Sequence, residues 1–178
     1  REAYLRGGAS TWITGSYDPE LDLVYWGTGN GGPWTDEKRK GDNLYVASVI
    51  AIRPKTGEIA WHYQFAPNDV FDWDSWEMIQ GDVTVNGQRH KVIMHMARNG
   101  FLYVIDRTNG KLLSANPFAR VNWATHVDLA TGRPVESEES KKLRRGETIQ
   151  IWPSINGAKN WPRSEEHTSE LQSPYVIS

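Results

Sequence analysis

The sequence predicts an all-β fold, because of its composition and the turns that interrupt its apolar runs. Nine Trp, seven Tyr and 16 Gly occur among 178 residues, and aromatic and β-branched residues are enriched in strands. Thr-Gly and Asn-Gly pairs separate segments in which apolar and polar residues alternate, as in β-hairpins. With 38% hydrophobic residues, the chain can form one domain with a sizeable core.

Two hairpins of similar design indicate that a small antiparallel sheet repeats along the chain. Their turns, Thr56-Gly57 and Asn109-Gly110, lie 53 residues apart, which is close to the period of a β-propeller blade. A third turn, Thr131-Gly132, follows after only 22 residues and predicts a loop hairpin rather than a full blade. The predicted strands cover residues 21–28, 44–53, 58–64, 82–85, 90–97, 101–106 and 111–113.

Charge and hydropathy give no support to two classes of partner. The formal net charge is -2 and no Lys/Arg cluster alternates with exposed aromatic residues, so no nucleic-acid-binding surface is predicted. The longest apolar runs, such as residues 46–52, are far shorter than the roughly 20 residues that a membrane-spanning helix needs. Cysteine is absent, and a chain that begins with Arg1 carries no information on a signal peptide.

An acidic stretch at residues 68–77 holds the first candidate for chemistry. If this stretch is extended, Asp72 and Asp74 project to one side and Trp73 to the other. Two carboxylates held so close repel each other unless water, a shared proton or a cation offsets the repulsion. A hard, oxygen-preferring cation would do so, and an acidic surface loop with both carboxylates solvated is the alternative.

Two charged segments and the C-terminal tail are predicted to lie outside the sheets. Residues 35–43 are expected to be exposed, and residues 136–147 are expected to form a helix or a mobile surface excursion. Residues 163–173 match the translation of a widely used sequencing adapter, so residues 163–178 are predicted to be foreign to the fold. The propeller segment would then be residues 1–162.

Several motifs occur together in a characteristic order. They are Trp12, Gly27-Thr28-Gly29-Asn30, Asp72, Ala97-Arg98-Asn99-Gly100 and Asp106-Arg107-Thr108-Asn109-Gly110. With these motifs, residues 7–162 resemble the middle of the large subunit of pyrroloquinoline quinone (PQQ)-dependent alcohol dehydrogenases, the methanol and ethanol dehydrogenase group. The resemblance implies an eight-bladed β-propeller, of which this chain would supply two to three blades.

The resemblance also implies which residues bind PQQ. Trp12 matches an indole that stacks on the quinone ring, and a broad rigid aromatic suits a planar ligand; a core or blade-docking Trp is the alternative. Ser10 matches a hydroxyl that contacts a PQQ carboxylate. Arg98 matches a guanidinium beside the reacting carbonyl, with a solvated turn residue as the alternative. Asn160, followed by Trp161, matches an Asn-Trp pair that reaches the cofactor from a later blade.

Three further residues match the catalytic base and metal ligands. The resemblance assigns Asp72 as the base that removes the alcohol proton while hydride passes to the quinone. Asn30 would supply a side-chain oxygen to the metal; a glycine-loop Asn in a left-handed conformation is the alternative. Asp74 matches an extra carboxylate that marks lanthanide-dependent members. The predicted metal is therefore a lanthanide ion or Ca2+, bound by Asn30, Asp72 and Asp74.

The resemblance implies a small primary alcohol as substrate, a cytochrome c as electron acceptor, a periplasmic location and a possible homodimer. A cofactor-free propeller that serves as a binding or assembly scaffold is the alternative function, and an aldose-oxidising PQQ enzyme is a third. The family's glutamate ligand and vicinal disulfide would lie outside this chain. The isolated chain is therefore expected to be inactive, and exposed strand edges are expected to make it aggregate.

Overall fold

The computed structural model describes residues 8–34, 39–85, 87–160 and 175–177. Two four-stranded antiparallel sheets account for most of them, each with its strands in sequence order. The first sheet comprises β1 (Ser16–Asp18), β2 (Leu23–Gly27), β3 (Ser48–Ile52) and β4 (Ile59–Gln64). The second comprises β5 (Ile79–Val85), β6 (Gln88–Met96), β7 (Phe101–Asp106) and β8 (Leu112–Pro117). The predicted repetition of a small antiparallel sheet is confirmed.

Shorter elements follow the second sheet. They are β9 (Ala124–Asp128), β10 (Arg133–Glu136), α1 (Glu138–Arg144), β11 (Ile149–Ile151) and β12 (Tyr175–Ile177). The strands β9 and β10 form a two-stranded hairpin, as predicted for the Thr131-Gly132 turn. The helix begins where Ser137 accepts a hydrogen bond from the Ser140 amide at 3.1 Å, which is a typical N-cap. No helix among the described residues is long and apolar enough to cross a membrane.

Strand alternation and turn chemistry explain the blades. Along β7, Phe101, Tyr103 and Ile105 are buried while the intervening residues are partly exposed, which matches the two-residue period of a strand. Asp106 then accepts hydrogen bonds from the backbone N–H and hydroxyl of Thr108 at 2.9 and 2.6 Å. Asp106 therefore caps its hairpin turn.

A tryptophan and an arginine connect the two sheets. The Trp61 indole of the first sheet donates to the carbonyl of Arg107 at 3.1 Å. Gly110 lies against the same ring, since a Cβ there would be 2.7 Å from Trp61 Cε3. The buried Arg107 guanidinium reaches back to the Asp18 carboxylate at 2.7 Å. The sheets therefore pack through directional contacts as well as apolar burial.

The predicted strand at residues 44–53 is wrong in its first part, because residues 44–47 form a turn. Asn43 and Ala47 have positive φ angles of 56° and 45°, and the Val46 amide donates to Asn43 O at 2.8 Å. The Ala47 amide donates to Gly29 O at 3.0 Å. The chain therefore pairs with the glycine loop before β3 begins.

Other boundaries also differ from the prediction. Ser16–Asp18 forms β1, although no strand was predicted there. Within residues 163–178, Tyr175–Ile177 pairs antiparallel with β11, and the foreign origin of that tail stays a prediction. The rest of the tail and Asn86 lie outside the described residues.

His95 on β6 should make the free energy of unfolding sensitive to acid. Burial lowers its pKa from 6.5 to about 3, so the folded protein keeps the ring neutral while the unfolded chain takes up a proton below 6.5. Stability is therefore complete above pH 6.5 and falls as the pH decreases towards 3. The loss between about pH 7 and about pH 5 should be about 2 kcal/mol.

Chemical unfolding of a complete propeller that carries residues 7–162, with and without His95→Gln, at both pH values checks this. The variant should lack that part of the acid-induced loss. Equal acid sensitivity of the two proteins would contradict the assignment.

Candidate functional site

Hydrogen bonds between backbone groups bring three loops of the first sheet together. Ala9, before β1, donates its amide to Asn30 O at 2.7 Å, and Asn30 belongs to the loop after β2. Ser75, between β4 and β5, donates to Thr28 O at 3.0 Å. Each of these three loops carries residues that the sequence predicted for the site, and the loops are therefore neighbours.

Asp74 is the side chain that joins these loops. Its Oδ1 accepts a hydrogen bond from the Asn30 amide at 2.7 Å, and its Oδ2 accepts one from Trp12 Nε1 at 3.2 Å. The carboxylate is buried, yet each oxygen keeps a second lone pair. Asp74 can therefore hold the loops together and still offer oxygen to a cation.

Asp72 faces a different neighbour, the guanidinium of Arg98 between β6 and β7. The Arg98 Nη2 to Asp72 Oδ2 distance is 3.9 Å, so the two form an ion pair rather than a close hydrogen bond. Burial and the charge on Asp74 raise the pKa of Asp72 to about 6, although Arg98 opposes the shift. A carboxyl in this range suits proton transfer near neutral pH.

Arg98 is held on an aromatic surface. Its guanidinium carbon lies 5.5 Å from the centre of the Trp76 ring, a cation–π distance. The Trp76 ring contacts that of Trp12 edge to face at 5.9 Å. Arg98 Nε is buried without a hydrogen-bond partner among the described residues. Trp76, which the sequence did not single out, therefore connects the predicted stacking residue to the predicted guanidinium.

The segment that carries both acids is not the strand on which their alignment was predicted. Residues 71–78 form an irregular loop, and Asp72 has a left-handed φ of 63°. The Asp69 carboxylate accepts the amides of Phe71 and Trp73, both at 3.1 Å, which folds the chain around Asp72. The Phe71 and Trp73 rings stack at 4.4 Å inside the core. Trp73 thus points away from the acids, as predicted, but the backbone that achieves this is a turn rather than a strand.

Trp12 presents a large aromatic surface to solvent. Trp12 is 52% exposed, so its ring is open to solvent in this part of the propeller. Ser10 lies on the same loop, where its carbonyl accepts the Gly29 amide at 2.8 Å. A Cβ on Gly29 would be 2.8 Å from Ser10 Oγ, so the absence of a side chain allows this approach.

Asn160 follows a segment that packs on Arg98. The Ala158 amide donates to Arg98 O at 2.8 Å, and a Cβ on Gly157 would be 2.6 Å from Arg98 Cβ. Asn160 is half-buried, while Trp161 of the predicted Asn-Trp pair lies outside the described residues. The segment thus approaches the cluster from the far end of the chain.

Arg39 was missed by the sequence analysis, which expected residues 35–43 to be exposed. That expectation is wrong for Arg39, whose side chain is buried. It donates to the carbonyls of Pro33, Trp34 and Asp69. Arg39 lies in a charged stretch, and nothing in the local sequence indicates that carbonyl groups from distant residues surround it.

The donor groups fit part of a metal site. Among the described residues no three His, Asp or Glu side chains are grouped to hold a metal ion. The predicted metal ligands also include the amide oxygen of Asn30. Asn30 Nδ2 donates to Gly31 O at 3.2 Å, and no described residue donates to Asn30 Oδ1, so this oxygen can face a metal ion. Oxygens from one amide and two acids are hard ligands.

Comparison with known proteins identifies the family. The PQQ family model "Glucose/ethanol/alcohol dehydrogenase, beta-propeller domain" matches residues 1–122. Quinohemoprotein alcohol dehydrogenase ADH IIB of Pseudomonas putida is 52% identical over 161 residues, covering 88% of this chain and 23% of that protein. The lanthanide-dependent methanol dehydrogenase of Methylacidiphilum fumariolicum is 44% identical over 161 residues, covering 89% of this chain and 26% of that protein.

A solved structure gives the same result for the fold. Quinohemoprotein alcohol dehydrogenase ADHIIG from Pseudomonas putida matches with a TM-score of 0.83 at 40% identity, covering 87% of this chain and 23% of that one. The chain thus spans about a quarter of the length of the relatives it matches. It belongs to the PQQ-dependent glucose, ethanol and alcohol dehydrogenase family, and its two four-stranded sheets are blades of that family's β-propeller.

Proposed function

We propose that this chain contributes the cofactor and metal side of an active site that oxidises primary alcohols. When bound, PQQ would accept the hydride that leaves the alcohol carbon. The observation that carries the proposal is the convergence of Trp12, Asn30, Asp74 and, through Trp76, Arg98 in one connected cluster. A cofactor-free scaffold would have no chemical reason to bring an exposed indole, a buried guanidinium and paired acids together.

Four residues would bind the quinone. Trp12 offers an exposed flat ring, and Ser10 lies on the same loop with a hydroxyl for a carboxylate of the cofactor. Arg98, whose guanidinium lies over the Trp76 ring, would place its positive charge near a carbonyl oxygen of the cofactor, where a fixed charge stabilises added electron density. Asn160 would approach from the segment that packs on Arg98.

Asp72 would act as the general base that removes the hydroxyl proton of the alcohol. Its carboxyl is only partly buried, so a substrate can reach it, and Arg98 lies close enough to hold its orientation. The Asp69 hydrogen bonds to the amides on either side of Asp72 keep the carboxyl in place. A base that is fixed before substrate binds loses less freedom during the reaction.

Asn30, Asp72 and Asp74 would hold the metal ion. One acid and an amide oxygen would suit Ca2+, and the second acid, Asp74, favours a trivalent lanthanide because more negative charge surrounds the ion. The name of the Methylacidiphilum relative supports the lanthanide assignment. Burial is the main cause of the raised pKa of Asp72 and the charge on Asp74 adds to it; the metal would also offset the repulsion between these two acids.

The remaining proposals concern the whole enzyme. A cytochrome c would receive the electrons, the enzyme would work in the periplasm, and two copies could form a homodimer. Their support is the membership of the family. Detection of reduced cytochrome c during alcohol turnover would test the first.

PQQ binding tests the proposal with two tryptophans of matched exposure. The host is a complete propeller in which residues 7–162 replace the matching segment of ADH IIB. Trp12→Ala should raise the PQQ dissociation constant at least about tenfold, because stacking and buried area are both lost. Trp34→Ala should leave the PQQ dissociation constant unchanged. Trp34 is as exposed as Trp12, at 51% against 52%, but it contacts none of the residues proposed to bind the metal or PQQ.

Quinone absorbance during titration of the apoprotein gives both constants. If the propeller with the intact segment takes up no PQQ, the cofactor-free scaffold becomes the better interpretation.

A further inference from the structure

We propose that Arg39 is a positioning residue that fixes the Asn30 loop against the Asp72 loop, so that both supply oxygens to one metal ion. The inference rests on the proposed function for the identity of the ligands. Arg39 itself contacts none of the three proposed ligand side chains. It would act through the groups that it holds, which are three backbone carbonyls and the side-chain oxygen of Asn43.

On one side Arg39 holds the chain that follows Asn30. Its Nε donates to Pro33 O at 2.5 Å and its Nη2 to Trp34 O at 2.7 Å. Gly31 makes the approach possible, because a Cβ there would lie 2.4 Å from Arg39 Nη1. Any larger residue beside Asn30 would displace the guanidinium.

On the other side Arg39 holds the chain that precedes Asp72. Its Nη2 also donates to Asp69 O at 2.8 Å, and the Asn68 side chain donates back to Arg39 O at 2.8 Å. The Asp69 carboxylate then fixes the amides that flank Asp72. Continuous hydrogen bonds thus run from the Asn30 loop to both neighbours of Asp72.

The chemistry of the contacts calls for arginine rather than lysine. The fourth contact of Arg39, from Nη1 to Asn43 Oδ1 at 2.6 Å, again goes to a neutral oxygen. All four acceptors lie around one planar, buried guanidinium, which presents its donors in a fixed fork. A lysine ammonium on a flexible stem cannot reach acceptors spread over that width.

The test compares Arg39→Lys with Arg107→Lys in the complete propeller. The two arginines are equally buried, at 7% exposure, and Arg107 also joins two elements through four contacts, but away from the ligands. Arg39→Lys should raise the Eu3+ dissociation constant by about 10- to 100-fold, the usual effect of a group that supports metal ligands. The Eu3+ luminescence lifetime should shorten as water replaces a protein oxygen. Arg107→Lys should lower the unfolding midpoint and change neither Eu3+ readout.

Amide hydrogen exchange separates this inference from the proposed function. The Asn30 amide is protected by its bond to Asp74 across the two loops, and Arg39→Lys should speed its exchange whether or not metal binds. Asn43→Gly, which keeps the positive φ of Asn43 and removes one Arg39 acceptor, should act in the same direction if Arg39→Lys does not fold. Unchanged exchange at Asn30 in the folded variant would overturn the positioning role. Failure of the intact segment to bind Eu3+ would overturn the metal site instead.

Discussion

Replacement of Asp72 by Asn in the complete propeller should lower kcat for a primary alcohol by about 100- to 10,000-fold, the range that a general base contributes. Asn matches Asp in shape but cannot take up the hydroxyl proton. The left-handed backbone at this position, with φ of 63°, is one that Asn adopts readily. The loss should therefore come from the chemistry rather than from the fold, and KM should change much less than kcat.

The control for Asp72 is another acid at a turn. Asp106→Asn removes a carboxylate that caps Thr108 and lies away from the cluster, so kcat should stay within about twofold of the original. Eu3+ titration of the Asp72→Asn protein shows whether metal still binds, since an amide oxygen can remain a ligand. Metal-loaded Asp72→Asn enzyme with kcat close to the original would remove Asp72 as the base.

The blades were predictable because the patterns that specify their strands and turns lie in short stretches of the sequence. Alternating apolar residues specify which face of a strand is buried, and glycines such as Gly110, with φ of 78°, specify where a hairpin turns. Residues 44–47 have the same apolar character as a strand but turn instead. Their partners, such as Gly29 O for the Ala47 amide, come from a distant loop, so no local pattern could reveal the turn.

The site was predictable only in its residue types. The resemblance picked out Trp12, Asn30 and Asp74, and the structure connects them by two hydrogen bonds. The resemblance did not identify Arg39 and Trp76, which support these residues, because their contacts join parts of the chain that are far apart in sequence. Arg39 looked like a solvated residue in a charged stretch, and Trp76 was one of nine tryptophans.

Asp74 should decide which metal the enzyme uses. Asp74→Ala should weaken La3+ binding by more than about 100-fold, because a direct ligand contributes more than the supporting groups whose loss costs about 10- to 100-fold. Activation by La3+ should disappear with it. Activation by Ca2+ should remain, since a divalent ion needs less negative charge and Asn30 and Asp72 would still offer oxygens.

Asp74→Asn separates the charge of this residue from its contacts. The amide oxygen of the variant can still accept a hydrogen bond from the Asn30 amide, which lies 2.7 Å from Asp74 Oδ1 in the original protein. The negative charge is gone. If charge selects the ion, Asp74→Asn should lose La3+ activation nearly as fully as Asp74→Ala. If Asp74 acts only by accepting the Asn30 amide, Asp74→Asn should keep most of the La3+ activation, although its Nδ2 can no longer accept the Trp12 indole N–H that Asp74 Oδ2 accepts. Assays of kcat with added La3+ or Ca2+ distinguish these cases, and Ca2+ activation that is equal in the original and Asp74→Ala enzymes, with none by La3+, would exclude a lanthanide site.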